Sequence, residues 1–152
     1  MICPACKEPL IVVERSGIEV DWCAACGGLW FDQGELALLA ASAGRGFTED
    51  FLADAPADLA GDASPRRCPR CPKRMAAKRF PRLPEIRIDA CPAGHGFWLD
   101  KGELGLLFRS LPGTASGDAG ADQAARSIAS FLGETFGRET GQAIAPPRAD
   151  EE

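Results

Sequence analysis

Cys23-Ala24-Ala25-Cys26-Gly27-Gly28-Leu29-Trp30-Phe31-Asp32-Gln33-Gly34-Glu35-Leu36 is the stretch on which the fold turns. Much of it is written again as Cys91-Pro92-Ala93-Gly94-His95-Gly96-Phe97-Trp98-Leu99-Asp100-Lys101-Gly102-Glu103-Leu104. Upstream, Cys3-Pro4-Ala5-Cys6 answers to Cys68-Pro69-Arg70-Cys71. Cys3 and Cys23 stand 20 positions apart and Cys68 and Cys91 stand 23 apart, so the second copy carries three extra residues between its halves. Such a duplication makes the repeat, not the 152-residue chain, the unit of folding. The 17 Gly and 12 Pro, with apolar residues in short clusters, also fit two small units and linkers better than one large core.

The cysteines indicate what holds such small units together. Seven is an odd number, which argues against a closed disulfide framework. The opening Met1-Ile2-Cys3-Pro4 shows no charged and apolar leader, so a reducing, cytoplasmic setting is expected. No apolar run approaches the roughly 20 residues that cross a bilayer, so no membrane role is expected. In that setting, thiols at C-x-x-C spacing read as metal ligands. Zinc takes a tetrahedral shell of thiolate and imidazole, and two knuckles joined by a hairpin supply one. The expected sites are Cys3, Cys6, Cys23 and Cys26 for one ion and Cys68, Cys71, Cys91 and His95 for the other, giving two Zn2+ per chain. The second set departs from the first: Gly94 stands where Cys26 would, and His95, the single His, follows one place later between two glycines. The competing reading is an incomplete three-thiolate site or one completed by water.

Energetics point to structural metal. Units of about 40 residues seldom fold without metals or disulfides, and structural zinc is worth on the order of 10 to 16 kcal/mol in small peptides. Four protein ligands leave no position for a substrate. A dithiol catalyst would place its C-x-x-C at a helix N-terminus inside a thioredoxin-like βαβ unit, and no such context is present.

Residues 10–15 are β-branched, Ser16-Gly17 supplies a turn, and Ile18, Val20 and Trp22 alternate with Glu19 and Asp21, which is a hairpin. Residues 75–80 and 86–90 form the second, and residues 81–84, with Pro81 and Pro84, are expected to make a wider loop holding the three extra residues. Asp32 and Asp100 are expected to cap short helices while Glu35 and Glu103 reach back to the cap's N–H. Leu36 and Leu39, or Leu104, Leu107 and Phe108, are expected to pack on the Trp and the hairpin. The fold class is therefore small metal-bound α+β: two tandem zinc ribbons plus a C-terminal amphipathic helix. The organisation is ribbon 1 at 1–43, an acidic linker at 44–64, a basic ribbon 2 at 65–111 and a linker at 112–121. A helix at 122–140, with Ile128, Phe131, Leu132 and Phe136 at helical spacing, and a disordered tail at 141–152 complete it.

The net charge of −5 conceals a division. Residues 1–64 carry three basic side chains against eleven acidic, residues 65–112 eleven against four, and residues 113–152 three against seven. Such asymmetry concerns partners, not fold. Arg66, Arg67, Arg70, Lys73, Arg74, Lys78, Arg79 and Arg82 could neutralise phosphates of a nucleic acid, or the chain's own acidic segments could neutralise them.

C-P-x-C, a hairpin and C-x-x-C-G-G-x-W-x-D-x-G-E-L together resemble the bacterial transcription-factor-IIB-type zinc fingers, closely over residues 2–40 and more loosely over 67–108. The resemblance implies zinc ligation by Cys3, Cys6, Cys23 and Cys26 and by Cys68, Cys71 and Cys91, with His95 carried over by a one-place shift. The family name implies a link to transcription. From the residues, the leading expectation is a non-enzymatic adaptor for a protein partner, with nucleic-acid binding by the basic ribbon as the alternative. An enzyme lacks support, since no nucleophile with a base, phosphate loop, open metal position or small-molecule site can be found.

Overall fold

The computed structural model describes residues 1–15, 17–47, 63–80 and 83–113. The expected helix at 122–140 and tail at 141–152 lie outside these residues. The described elements are β1 (Ile11–Arg15), β2 (Ile18–Trp22), β3 (Leu29–Asp32), α1 (Glu35–Ser42), β4 (Ala63–Arg67), β5 (Arg74–Phe80), β6 (Leu83–Ala90), β7 (Gly96–Leu99) and α2 (Glu103–Ser110). The two expected hairpins are β1–β2 and β5–β6.

Strands β3 and β7 decide the architecture. Each hairpin gains a third strand just after its second knuckle, and those two strands pair antiparallel with each other. The result is one seven-stranded sheet in the order β1-β2-β3-β7-β6-β5-β4. Trp30 sits opposite Trp98, Leu29 opposite Leu99 and Phe31 opposite Phe97. Trp30 and Trp98 are the matching residues of the two repeats, so the repeats meet about an approximate twofold axis through that pair, as subunits of a symmetric dimer would.

Strand periodicity then separates two cores. Side chains alternate between faces, so Leu29, Phe31 and Leu99 join Ile18, Val20, Ile86 and Ile88 on one face, under Leu36 and Leu39 of α1 and Leu104, Leu107 and Phe108 of α2. Trp30 and Trp98 turn to the opposite face, among Cys3, Leu10, Cys23, Cys68, Met75 and Cys91. The expectation that the helices pack on the Trp residues is corrected here: one step along the strand puts each Trp on the metal side.

Two further expectations change. Residues 83–84, expected in a loop, belong to β6, which begins at Leu83. Arg79 pairs with Arg87, whereas Phe80 pairs with Leu83 instead of Ile86, so the three extra residues are taken up as an irregularity in the returning strand. The Asp side chains do not cap the helices. The cap positions are Gly34 and Gly102, with φ of 94° and 90° and no side-chain cap bond, a left-handed conformation that glycine adopts without steric cost. The other half of the expected arrangement is present, since the N–H of Asp32 donates to Glu35 (2.8 Å) and that of Asp100 to Glu103 (2.6 Å). Beyond the helices, Arg45 bridges to Gly113 and the Gly46 N–H donates to the Pro112 carbonyl (2.9 Å), tying the two helix exits together.

Candidate metal centres

Cys3, Cys6, Cys23 and Cys26 converge in one place and Cys68, Cys71, Cys91 and His95 in another, the ligand atoms of each set lying within 4.8 Å of one another. In the first set Cys3 Sγ is 3.7 Å from Cys26 Sγ, and Cys6 Sγ is 3.4 Å from Cys23 Sγ. In the second Cys71 Sγ is 3.8 Å from Cys91 Sγ, and His95 Nδ1 is 3.5 Å from Cys91 Sγ and 3.8 Å from Cys68 Sγ. Four sulfurs at a Zn–S distance of about 2.3 Å form a tetrahedron with edges of about 3.8 Å, and an S···N edge is slightly shorter. The separations match that tetrahedron. They are far too long for disulfides, and all seven cysteines are free. Both donor sets therefore fit zinc, two ions per chain, and Nδ1 is the His95 atom that faces the metal position.

The knuckles follow from local backbone bonding. The Cys3 N–H donates to the Glu8 carbonyl (2.8 Å) and the Cys68 N–H to the Lys73 carbonyl (3.0 Å). The Cys23 N–H donates to Gly28 (2.9 Å) and the Cys91 N–H to Gly96 (3.0 Å). Three of the four turns also aim N–H groups at sulfur: Cys6 to Cys3 Sγ (3.4 Å), Arg70 to Cys68 Sγ (3.3 Å) and Ala93 to Cys91 Sγ (3.4 Å). Such bonds favour the thiolate, the form that binds metal. Burial pushes the Cys3 and Cys26 thiols up and the Cys68 thiol to about 12. Burial acts in the same sense on Cys91, but the backbone N–H groups of His95 and Ala93 and neighbouring thiols outweigh it and hold that thiol at about 7.

Each metal loop is covered by the other repeat. A Cβ on Gly28 would lie 2.1 Å from Cζ2 of Trp98, so the indole of the second repeat rests on the first loop. The matching Gly96, at φ 152°, leaves no room either: a Cβ there would lie 2.0 Å from the Phe31 carbonyl and 2.9 Å from Trp30 Cζ2. Lys101 covers Gly27, Gln33 lies beside Gly94, and the Gln33 N–H donates to the His95 carbonyl (3.1 Å). Gly28 and Gly96 thus each admit the indole of the other repeat.

The sequence reading missed the role of the Asp pair. The Trp30 indole N–H donates to Asp32 (2.8 Å) and that of Trp98 to Asp100 (3.1 Å). The W-x-D spacing was the available signal, because residues i and i+2 share a strand face. Asp32 also receives a two-pronged contact from the Arg70 guanidinium, which stands inside the second repeat's first knuckle. Arg66 bridges buried Asp89 (2.9 Å) and Asp100 (2.9 Å). Burial opposes the Arg66 charge, yet the bonds to Asp100 and Asp89 hold it firmly protonated. Arg67 and Arg74 donate to the carbonyls of Pro72 (2.7 Å) and Pro65 (3.4 Å). Arg66, Arg67, Arg70 and Arg74 of the expected basic patch thus bond within the chain, and Lys78 and Arg79 also interact within it; Arg82 lies outside the described residues.

Among known families, residues 2–42 match the transcription factor zinc-finger family. Over those residues the first repeat is similar to zinc ribbons of the transcription-factor-IIB type. The match ends before the second ribbon's knuckles, so the likeness of that ribbon rests on the repeated motif and the equivalent ligand geometry. No curated protein and no solved structure matches the chain. No helix among the described residues is long and apolar enough to cross a membrane.

Proposed function

We propose that the protein is a non-enzymatic, cytoplasmic, zinc-stabilised adaptor that docks a protein partner. The observation that carries this reading is the closure of both centres. Each has four protein donors, all the positions that a tetrahedral ion offers, and each is covered by the other ribbon. Zinc in such a site organises a surface and does not activate water. Protein is favoured over nucleic acid because Arg66, Arg67, Arg70 and Arg74 are engaged inside the chain, and only uncommitted cations bind phosphate without breaking the fold. The C-terminal segment 122–140 joins the docking surface in this proposal, on the strength of Ile128, Phe131, Leu132 and Phe136 at helical spacing.

The nucleic-acid alternative retains the basic balance of residues 65–112, eleven basic side chains against four acidic. Affinity isolation of the tagged full chain from its own cell extract, with and without nuclease and at two salt concentrations, separates the two. A defined protein recovered after nuclease and high salt supports the adaptor. Recovery that collapses with nuclease and falls steeply with salt supports nucleic acid.

A further inference from the structure

The two metal centres lean on each other unequally. The ligands of the second come from two loops, the knuckle Cys68-Pro69-Arg70-Cys71 between β4 and β5 and the turn at residues 91–95 between β6 and β7. Two consecutive residues of the first ribbon, Asp32 and Gln33 at the end of β3, hold one loop each. Asp32 receives the two-pronged contact from Arg70, which stands between the ligands Cys68 and Cys71 and whose own N–H donates to Cys68 Sγ (3.3 Å). The Gln33 N–H donates to the carbonyl of the ligand His95 (3.1 Å), and a Cβ on Gly94 would stand 3.2 Å from Gln33 Oε1. Asp32 is itself fixed, by the Trp30 indole N–H (2.8 Å) and by its own N–H to Glu35 (2.8 Å).

Bonds of this kind run one way. The place of Arg70 in the first ribbon is held by Ala5, which has no cation to offer Asp100, and that carboxylate bonds instead to Arg66 of its own ribbon. The β3–β7 ladder goes one step past Asp32 and Gly96, to Gln33 and His95. Among the described residues it has no matching step from Lys101 to Gly27 at its other end. There the second ribbon meets the first loop by packing, through Trp98 on Gly28 and the Lys101 stem on Gly27. The first centre also completes its second loop with a C-x-x-C pair, whereas the second has Gly94 in place of the fourth Cys and a displaced imidazole.

We propose that Asp32 and Gln33 are positioning residues for the second zinc ion, so that the chain loads zinc in order, first centre first, and releases it in reverse. Zinc at Cys3, Cys6, Cys23 and Cys26 folds the first ribbon and sets β3, and with it both anchors, in place. The second centre then closes against a preformed wall and loses less conformational freedom on binding. By linkage, a filled second centre tightens the first by the same factor. A falling zinc supply therefore opens the basic second ribbon while the first stays closed, which makes the second ribbon's surface conditional on metal. The adaptor reading plays no part in this.

The test is a chelator titration of the zinc-loaded full chain, in which native mass spectrometry counts the bound ions and hydrogen exchange shows which loops open. In the wild type a one-zinc species is expected, with residues 68–71 and 91–96 exchanging while residues 3–6 and 23–28 stay protected. Arg70→Met keeps every ligand and the N–H to Cys68 Sγ but removes the bond to Asp32; Asp32→Asn keeps an acceptor for the Trp30 indole and removes the charge. Each is expected to weaken the second zinc by about tenfold, the low end for groups that orient metal ligands because the pair is partly exposed, and to leave the first within about twofold. The double variant should lose no more than either single one, since all three lack the same bond. A first centre that opens before the second overturns the proposal. So does a second zinc held with wild-type affinity in both single variants, and so do losses that add in the double variant, which would make each residue a merely local support.

Discussion

Gly28→Ala tests whether the two ribbons are locked together. The φ of Gly28 is not in the left-handed region, so the substitution carries no backbone penalty of that kind. Its cost comes from the second ribbon: the new methyl would stand 2.1 Å from Trp98 Cζ2 and 2.7 Å from Cη2, where carbon atoms prefer about 3.5 to 4.0 Å. Atoms must part by about 1.5 Å against a fully buried indole, and overpacking of that kind costs about 1 to 3 kcal/mol. Trp98→Leu removes the clashing ring and by itself costs about 2 to 4 kcal/mol through the space it leaves. The double variant is expected to lose less than the sum of the two, by about 1 to 2 kcal/mol, because the methyl occupies part of that space. Urea unfolding at saturating zinc, with metal content measured for each variant, gives the cycle. Gly17→Ala is the control: φ is +76° and nothing lies within 4 Å, so it pays only the left-handed penalty of about 1 to 2 kcal/mol and couples to nothing. Additivity of Gly28→Ala and Trp98→Leu within about 0.5 kcal/mol would refute the interlocking of ribbons and metal loops.

Elemental analysis of protein purified without chelator is expected to give two zinc ions per chain; His95→Ala should weaken the second site and His95→Cys largely restore it, so unchanged affinity in His95→Ala would remove the imidazole from the ligand set. Arg66→Ala strands the buried carboxylate of Asp89; loss of one partner of a buried pair costs about 3 to 5 kcal/mol. Arg66 is a quarter exposed and Arg87 stands 3.9 Å from Asp89, which reduces the expected loss in denaturant unfolding to about 2 kcal/mol. Zinc affinity at the second site should fall on acidification, because metal displaces the protons of Cys68, held up at about 12, and of Cys91 once pH drops below about 7. Chelator competition from about pH 8 to about pH 6 should therefore steepen on the acid side, by up to about tenfold per pH unit for each further proton displaced; a flat profile would contradict thiolate ligation.

The metal centres were legible in the chain because their information is local. A C-x-x-C knuckle and the glycines after it are set by a few consecutive residues, so spacing alone named Cys3, Cys6, Cys23 and Cys26. The repeat then named Cys68, Cys71, Cys91 and the displaced His95. The hairpins were legible for the same reason, as alternation and a turn. What the sequence left open was the relation of the two ribbons, because nothing near Leu29 or Phe97 says that each four-residue strand will find the other 68 positions away. Only the tertiary structure decided it, by pairing β3 with β7. That one pairing turned Trp30 and Trp98 to the metal face, gave Gly28 and Gly96 an indole to admit, and freed the opposite face for the helices. It also set Asp32 within reach of Arg70 in place of the cap that its spacing from Glu35 suggests. Local preference fixed the zinc loops. The Asp side chains went to the indole and guanidinium groups that long-range packing brought to them, since a charged bond beside a buried ring is stronger than a solvent-exposed cap.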